Sequence, residues 1–337
     1  MSPDTDFATA PFAQGRLAAL RRMRFAVLGR AGMDFYADPP GSRIEGGRHF
    51  VAHLGGSAGN IAAALARQGA AAALISRVSD DAVGRFVLTE LDHYGIDRRH
   101  VSLTMTEERT SLAVVETRAQ DCQSVIYRNG AADFALSPPD IAAVDFTGFG
   151  ALVVTGTALA AEPSRTATLA ALASARAAGA VTVMDLDYRP YSWPSLEEAR
   201  RVMAMAAQGT DIVIGNDVEF GHLAGSDAGG QDAAQALIAT GTTLAIYKMG
   251  ENGAVTFTAG GTFTTGIYRT KALKPTGAGD AFMGGFLAAL GTGAGLRSAV
   301  LRGSASAAIV VSRPGCAPAC PTAAELDSFL AARPEPT

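Results

Sequence analysis

Short apolar runs punctuate the chain at intervals suited to alternating strands and helices: RFAVLG (24–29), AALISRV (72–78), ALVVTG (151–156), AVTVMDLD (180–187), DIVIGN (211–216) and LAIYKMG (244–250). Runs this short, rich in β-branched residues and bounded by Gly, Asp or Asn, read as buried strands. Between them lie alanine-rich stretches with helical spacing, GNIAAALARQG (59–69), RTATLAALASARAAG (165–179) and DAAQALIATG (232–241). The alternation predicts an α/β fold, a mostly parallel sheet covered by helices on both faces. Ligands of such folds collect at the carboxyl ends of the strands, so chemistry is to be sought in the loops that follow these runs.

Two segments break the alternation. FYADPPGSRIEGGRHFVAHL (35–54) carries Pro-Pro and Gly-Gly punctuation between β-favouring residues. SLAVVETRAQDCQSVIYR (111–128) reads as a hairpin, two alternating runs around a polar turn. These excursions, taken as insertions at about 35–54 and 111–130, predict a small second sheet, either surface decoration or a lid over the strand ends.

Composition narrows the setting. With 337 residues, 48% of them apolar and 18% charged, the chain has material for a large core. A net charge of −4 gives no reason to expect nucleic acid or an anionic membrane as partner. No apolar run approaches the roughly 20 residues needed to span a bilayer. The segment MSPDTDFATAPFAQGRLAALRRMR (1–24) lacks the apolar continuity of a signal peptide, so a flexible leader over 1–22 and one domain over 23–332 are expected. Cys122, Cys316 and Cys320 are too few for a disulfide scaffold, and CAPAC (316–320) has no second Cys/His pair to complete a metal site. A cytoplasmic setting is expected.

The glycine motifs exclude three nucleotide-binding designs. There is no G-x-x-x-x-G-K-[ST]; the first strand runs into GRAGMD rather than G-x-G-x-x-G; and no H-R-D or D-F-G set occurs. What remains is PTGAGD (275–280) ahead of AFMGGFLAAL. The amides of Gly277, Ala278 and Gly279 at a helix N-terminus make an anion cradle, and Asp280 beside it would repel a phosphate unless it faced a proton donor. A carboxylate next to a phosphoryl hole suits a phosphotransferase that deprotonates an attacking hydroxyl; a plain helix cap is the other explanation. HLGGSAGN (53–60) sets Gly55 and Gly56 before a helix that carries Asn60, and GRAGMD places Asp34 after the first strand. Asp34 and Asn60 are suited to sugar hydroxyls, with the glycine pair admitting the ring; ordinary turn chemistry is the alternative.

Together HLGGSAGNIAAALARQGA, ISRVSDDAVGRF and PTGAGDAFMGGFL resemble the two signatures of the ribokinase-like (phosphofructokinase-B type) carbohydrate kinases, over about residues 23–332. The resemblance implies a three-layer α/β/α fold with a β lid, ATP and Mg²⁺ as cofactors, and a homodimer paired through the lid. VLGRAGMDFY, VIYRNGAADFALS and MDLDYRPYSW (184–193) point within the family to its sugar-acid kinases. Asp187, Arg128 and Arg189 then fall at the substrate, since Arg clamps carboxylates bidentately, with surface ion pairing as the other use of the two arginines.

Further roles follow from the same resemblance. Asp280 is the base for the primary (C6) hydroxyl, and the amides of Gly277, Ala278 and Gly279 hold the transferring phosphoryl group. Asp34, Gly55, Gly56 and Asn60 line the sugar site. Asn216 and Glu219 match an Asn-x-x-Glu pattern that arranges Mg²⁺, although the pair would equally cap a helix. Lys248, Gly250 and Gly253 fall in the nucleotide loop, Ser304 and Gly315 near the adenine. An aspartate at a helix N-terminus is a weak base, which suits a proton removed late. Two positions depart from the family. Ser79 stands in a Val-Gly-Asp-Asp pattern, and Lys274 replaces an acid that in several relatives helps hold a monovalent cation. The resemblance therefore leaves K⁺ open, and a lysine there brings positive charge of its own.

Overall fold

All six apolar runs become strands of one sheet. The structure, a computed structural model, describes residues 15–336. Its strands are β1 (Arg24–Leu28), β2 (Gly32–Asp38), β3 (His49–Gly55), β4 (Ala71–Ser79), β5 (Asp97–Thr104), β6 (Leu112–Val115), β7 (Ser124–Tyr127), β8 (Ala151–Thr155), β9 (Val181–Asp185), β10 (Ile212–Asn216), β11 (Leu244–Lys248), β12 (Ala254–Thr258) and β13 (Gly261–Thr265). The helices are α1 (Ser57–Arg67), α2 (Ala82–His93), α3 (Pro138–Ala142), α4 (Ser164–Ala177), α5 (Leu196–Gln208), α6 (Asp217–Ala224), α7 (Gly230–Ala239), α8 (Ala278–Gly291), α9 (Leu296–Val311) and α10 (Ala323–Ala331).

The large sheet runs β13-β12-β11-β10-β9-β8-β1-β4-β5, parallel except for the β11–β12–β13 meander at one edge. Its strands are apolar on both faces, and the pleat deals alternate residues to two helix layers. Phe25, Val27, Val183, Ile212 and Ile214 pack with Ile61 of α1, Phe286 of α8 and Val300 of α9. Ala26, Leu28, Met184 and Val213 pack with Leu172 of α4, Val202 of α5 and Phe220 of α6. The expected three layers follow from this alternation.

The two excursions form the second sheet, ordered β3-β2-β6-β7. β2 leaves the carboxyl end of β1 almost at once, so the lid stands over that edge of the large sheet. Its inner face carries Asp34, Ala113 and Ile126, which line the cleft beneath. No helix among the described residues is long and apolar enough to cross a membrane.

β5, β12 and β13 go beyond the runs read from the sequence. β5, DRRHVSLT, is a half-exposed edge strand with no apolar run. The β12–β13 hairpin interleaves Thr with apolar residues around a Gly-rich turn. Of the leader expected over 1–22, residues 1–14 lie outside the described residues. Residues Gly15–Arg22 form a short 3₁₀ helix with Leu17 and Leu20 buried in the core, and the Arg16 Nε donates to Asp211 at 3.2 Å. This part of the leader is built into the domain, because two leucines at helical spacing find an apolar site beside α8. Leu20→Ala is accordingly expected to cost about 2–5 kcal/mol, as in other core truncations. Urea denaturation checks this, and a loss below about 0.5 kcal/mol, the size of an ordinary surface change, would mean that the segment is only draped on the domain.

Candidate active site

The crossovers of the large sheet fix where a site must lie. The chain enters at β1, moves outward through β4 and β5, then returns to lay β8 to β11 on the other side. Strand order therefore reverses between β1 and β8, and the crevice outside their carboxyl ends is where ligands bind in such sheets. A cleft of about 900 Å³ occupies this place. Consecutive strand ends deliver Arg30 after β1, Thr157 after β8, Asp187 and Arg189 after β9, Asn216 at the end of β10 and Lys248 at the end of β11.

At the floor, α8 begins at Gly277, whose φ of +83° is left-handed. A Cβ there would also lie 2.5 Å from the Cys316 Sγ, so only glycine fits. The first amides of a helix have no intrahelical acceptor, and residues 277–279 line the cleft with Lys248 beside Gly279. Asp280 is not the cap; it is the third helical residue, and its Oδ2 accepts from the Asn60 Nδ2 at 2.9 Å. Half-buried in this floor, Asp280 has its pKa raised to about 7, first by burial and then by the Asp187 charge, against the opposing pull of Asn60, Arg189 and Lys248. Burial thus outweighs the helix N-terminus, and the aspartate is a much stronger base than its position in the sequence suggests.

The lid side holds polar atoms without partners. Asp34 Oδ1 and Asn60 Oδ1 are buried and make no hydrogen bond within the protein, which is costly unless a ligand supplies donors. Burial raises the Asp34 pKa, with Arg30 opposing from 3.9 Å. Asp187, by contrast, is fully engaged. Its Oδ2 accepts from Ser57 Oγ at 2.6 Å and Thr157 Oγ1 at 3.0 Å, and its Oδ1 pairs with Arg189 Nη2 at 2.9 Å. Burial pushes Asp187 upward, but Arg189 and the two hydroxyls win and hold it below the usual carboxylate value.

Neither predicted arginine is a simple surface ion pair. Arg128 is buried on the cleft wall, paired with Asp133, donating to the Thr157 carbonyl at 3.2 Å and lying 4.1 Å over the Phe134 ring. Arg189 stands half-exposed at the cleft edge. A third guanidinium, Arg30, went unread in the sequence; it is buried, lines the cleft and donates to Ser111 Oγ at 3.0 Å. Its signal was its place right after the first strand.

At the β10–β11 end of the cleft the helix-cap reading of Asn216 and Glu219 holds. The Asn216 amide donates to Glu219 Oε2 at 2.8 Å and the Glu219 amide to Asn216 Oδ1 at 2.9 Å, a reciprocal cap on α6 whose side chains also line the cleft. Asp185, a residue absent from the sequence expectations, joins them. Burial first, with Glu219, Asp187 and Asp280 adding, raises its pKa well above the usual range despite Lys248. Burial likewise raises Glu219. Two buried carboxylates that disfavour each other's charge fit a hard cation. Among the described residues no group of three His, Cys, Asp or Glu side chains is placed to hold a metal ion.

Lys248, Gly250, Gly253 and Ser304 line the cleft as expected. Gly55, Gly56 and Gly315 do not. A Cβ on Gly55 would sit 1.9 Å from Asp34 Oδ1, and one on Gly56 2.3 Å from the Arg30 carbonyl, so the pair makes room for Asp34 and for the turn beside it. Gly315, at φ +75°, turns the chain against Pro318 and His53 behind the site. K⁺ does not fit where the resemblance left it open. Lys274 is fully buried, and its ammonium already occupies the carbonyl oxygens of Thr276, at 2.6 Å, and Val310, at 3.4 Å.

An anion cradle, a raised aspartate and a lidded crevice at a sheet switch point define a phosphotransferase-like site. The chain belongs to the pfkB family of carbohydrate kinases, whose family model matches residues 23–323. It is 39% identical to the 5-dehydro-2-deoxygluconokinase of Photobacterium profundum, covering 91% of this chain and 94% of that one. It is 36% identical to the enzyme of the same name from Geobacillus kaustophilus, covering 91% and 93%. Among solved structures, a double mutant of the fructokinase from Vibrio cholerae O395, bound to fructose, ADP and potassium ion, superposes with a TM-score of 0.79 at 27% identity over 91% of this chain and 98% of that one.

The raised Asp280 has a thermodynamic consequence. Between 3.8 and about 7 the folded chain holds more protons at this site than the unfolded chain, so stability falls as pH rises through that window. Asp280→Asn is therefore expected to be more stable than the parent at pH 8, by roughly 1–4 kcal/mol, with the gap closing toward pH 4. Thermal melts of both proteins across this range check it, and a gap that does not change with pH would contradict the raised pKa.

Proposed function

We propose that this chain transfers the γ-phosphoryl group of ATP to the primary (C6) hydroxyl of 5-dehydro-2-deoxy-D-gluconate, a sugar acid of myo-inositol catabolism. The observation that carries the reading is one helix start that joins the free amides of Gly277, Ala278 and Gly279 to a carboxylate with a pKa of about 7. The relatives named above support the substrate, and so do the three arginines at the lid side.

Asp34 and Asn60 offer their unpartnered oxygens to sugar hydroxyls, turning the primary hydroxyl toward Asp280. Arg30, Arg128 and Arg189 bind the carboxylate end; Arg30 is the least committed, with only a hydroxyl and a distant Asp34 as partners. Lys248 and the amides of 277–279 hold the phosphoryl oxygens, while Gly250, Gly253 and Ser304 lie along the nucleotide. Mg²⁺ supplies charge neutralisation at the phosphates when bound, with Asn216, Glu219 and Asp185 as the residues to hold it and its waters. The acceptor oxygen bonds to Pγ as its proton passes to Asp280; the bond from Pγ to the β,γ-bridging oxygen breaks, and ADP leaves with that electron pair. In a loose transition state the proton moves late, so positioning and charge dominate the rate.

The same reading places the enzyme in the cytoplasm as a homodimer through the lid. In support, the outer face of the lid carries two cross-strand apolar rows, Phe35–Val114–Val125 and Met33–Leu112–Tyr127, with Val125 and Tyr127 well exposed.

Steady-state assays with ATP against 5-dehydro-2-deoxygluconate, 2-keto-3-deoxygluconate, fructose and ribose test the substrate. The first is expected to give the highest kcat/KM, and a higher value for fructose or ribose would overturn the sugar-acid reading. Asp280→Asn is expected to lower kcat by on the order of 10²-fold or more while the sugar KM changes little; a near-parental rate would remove Asp280 as the base. Sizing in solution is expected to give a dimer that Val125→Asp converts to monomer, and a dimer unaffected by that change would place the interface elsewhere.

A further inference from the structure

Lys274 is fully buried, yet among the described residues its ammonium has no carboxylate partner; its two hydrogen bonds go to backbone carbonyls. A buried charge is expensive unless dipoles replace its water. Here two sets of dipoles do so. Val310 lies in the last turn of α9, at the negative end of the helix dipole, and its carbonyl oxygen also accepts from the Arg313 amide at 3.2 Å. The backbone amides of Leu273 and Lys274 themselves donate to the Val311 carbonyl, at 2.7 and 3.1 Å, so the whole segment docks on that helix end.

The second carbonyl gives the ammonium a role in the site. The oxygen of Thr276 belongs to the same planar peptide as the N–H of Gly277, and in a trans peptide these two groups point in opposite directions. Holding the oxygen at 2.6 Å from a cation therefore aims the Gly277 N–H the other way, into the anion cradle. A charge-assisted bond on the carbonyl also polarises the peptide and strengthens its N–H as a donor. Gly277 has no Cβ and a left-handed φ, so its neighbours alone do little to fix this peptide plane.

We infer that Lys274 is a built-in cation, a positioning residue that orients the Thr276–Gly277 peptide and makes the phosphoryl cradle independent of any monovalent ion. The inference rests on the reading of residues 277–279 as the phosphoryl-binding amides. The two carbonyls that a small cation would take at this place are already bonded to the ammonium.

The test compares the full-length protein in choline chloride and in potassium chloride at equal ionic strength. For the parent, kcat, ADP affinity by calorimetry and Tm are expected to be the same in both salts; activation or tighter ADP binding in potassium would overturn the inference. Lys274→Met, which keeps the packing but removes the charge, is expected to lose kcat on the order of 10²-fold in either salt, the scale of losing one oxyanion donor, with the sugar KM little changed. Lys274→Ala, which leaves a hollow, is expected to regain activity and ADP affinity with potassium or ammonium but not with choline. A parental kcat from the Met variant, or cation-insensitivity of a folded Ala variant, would reduce Lys274 to a packing role. Should either variant fail to fold, the parental comparison still decides. ADP binding needs no sugar, so a chain that binds ADP equally in both salts yet phosphorylates none of the sugars would sink the substrate reading without overturning independence from a monovalent ion.

Discussion

Four carboxylates, Asp185, Asp187, Glu219 and Asp280, share one poorly solvated cleft, and their mutual repulsion is the constraint that organises everything around it. Each is treated differently. Asp187 is kept ionised by Arg189 and two hydroxyls; Asp185 and Glu219 lean on Lys248 and are suited to a divalent cation; Asp280 has only an amide and more distant cations, and its pKa rises to about 7. One cleft thus gives chemically alike carboxyl groups different proton affinities, lowered at Asp187 and raised at Asp185, Glu219 and Asp280, through burial and neighbours alone.

The fold delivers this arrangement through its strand order. Because the order reverses between β1 and β8, the carboxyl ends of five neighbouring strands open into one crevice, and each contributes a residue or two. The lid leaves β1 only three residues after it ends, which brings Asp34 and Arg30 back over that crevice. Gly55 and Gly56 keep the lid close by yielding space to Asp34 and to the Arg30 carbonyl. Glycine here serves the wall of the site, whereas Gly277 serves its floor.

Much of this was legible in the sequence. The apolar runs and their helical spacers foretold the parallel sheet, the two irregular excursions foretold the lid, and PTGAGD foretold a helix start with Asp280 in its first turn. What escaped has a common cause. Ser57, Thr157 and Arg30 matter because they meet across distant segments, and no local pattern records such a meeting. The strength of Asp280 as a base escaped because a helix N-terminus is visible in sequence while desolvation and the Asp187 charge are not. What a Cβ would meet at Gly55, Gly56 and Gly315 also escaped, because a glycine motif says only that a backbone needs room, not what fills it. Residues 15–22 looked like a leader because two leucines among arginines give little sign of a core.

The most direct test is the structure of the protein with a non-hydrolysable ATP analogue, Mg²⁺ and 5-dehydro-2-deoxygluconate. The primary hydroxyl oxygen is expected within about 2.6–3.2 Å of an Asp280 carboxylate oxygen. The terminal phosphate should lie on the amides of 277–279 and the sugar carboxylate against Arg30 or its two companions. A primary hydroxyl turned away from Asp280, or a terminal phosphate bound elsewhere, would contradict it.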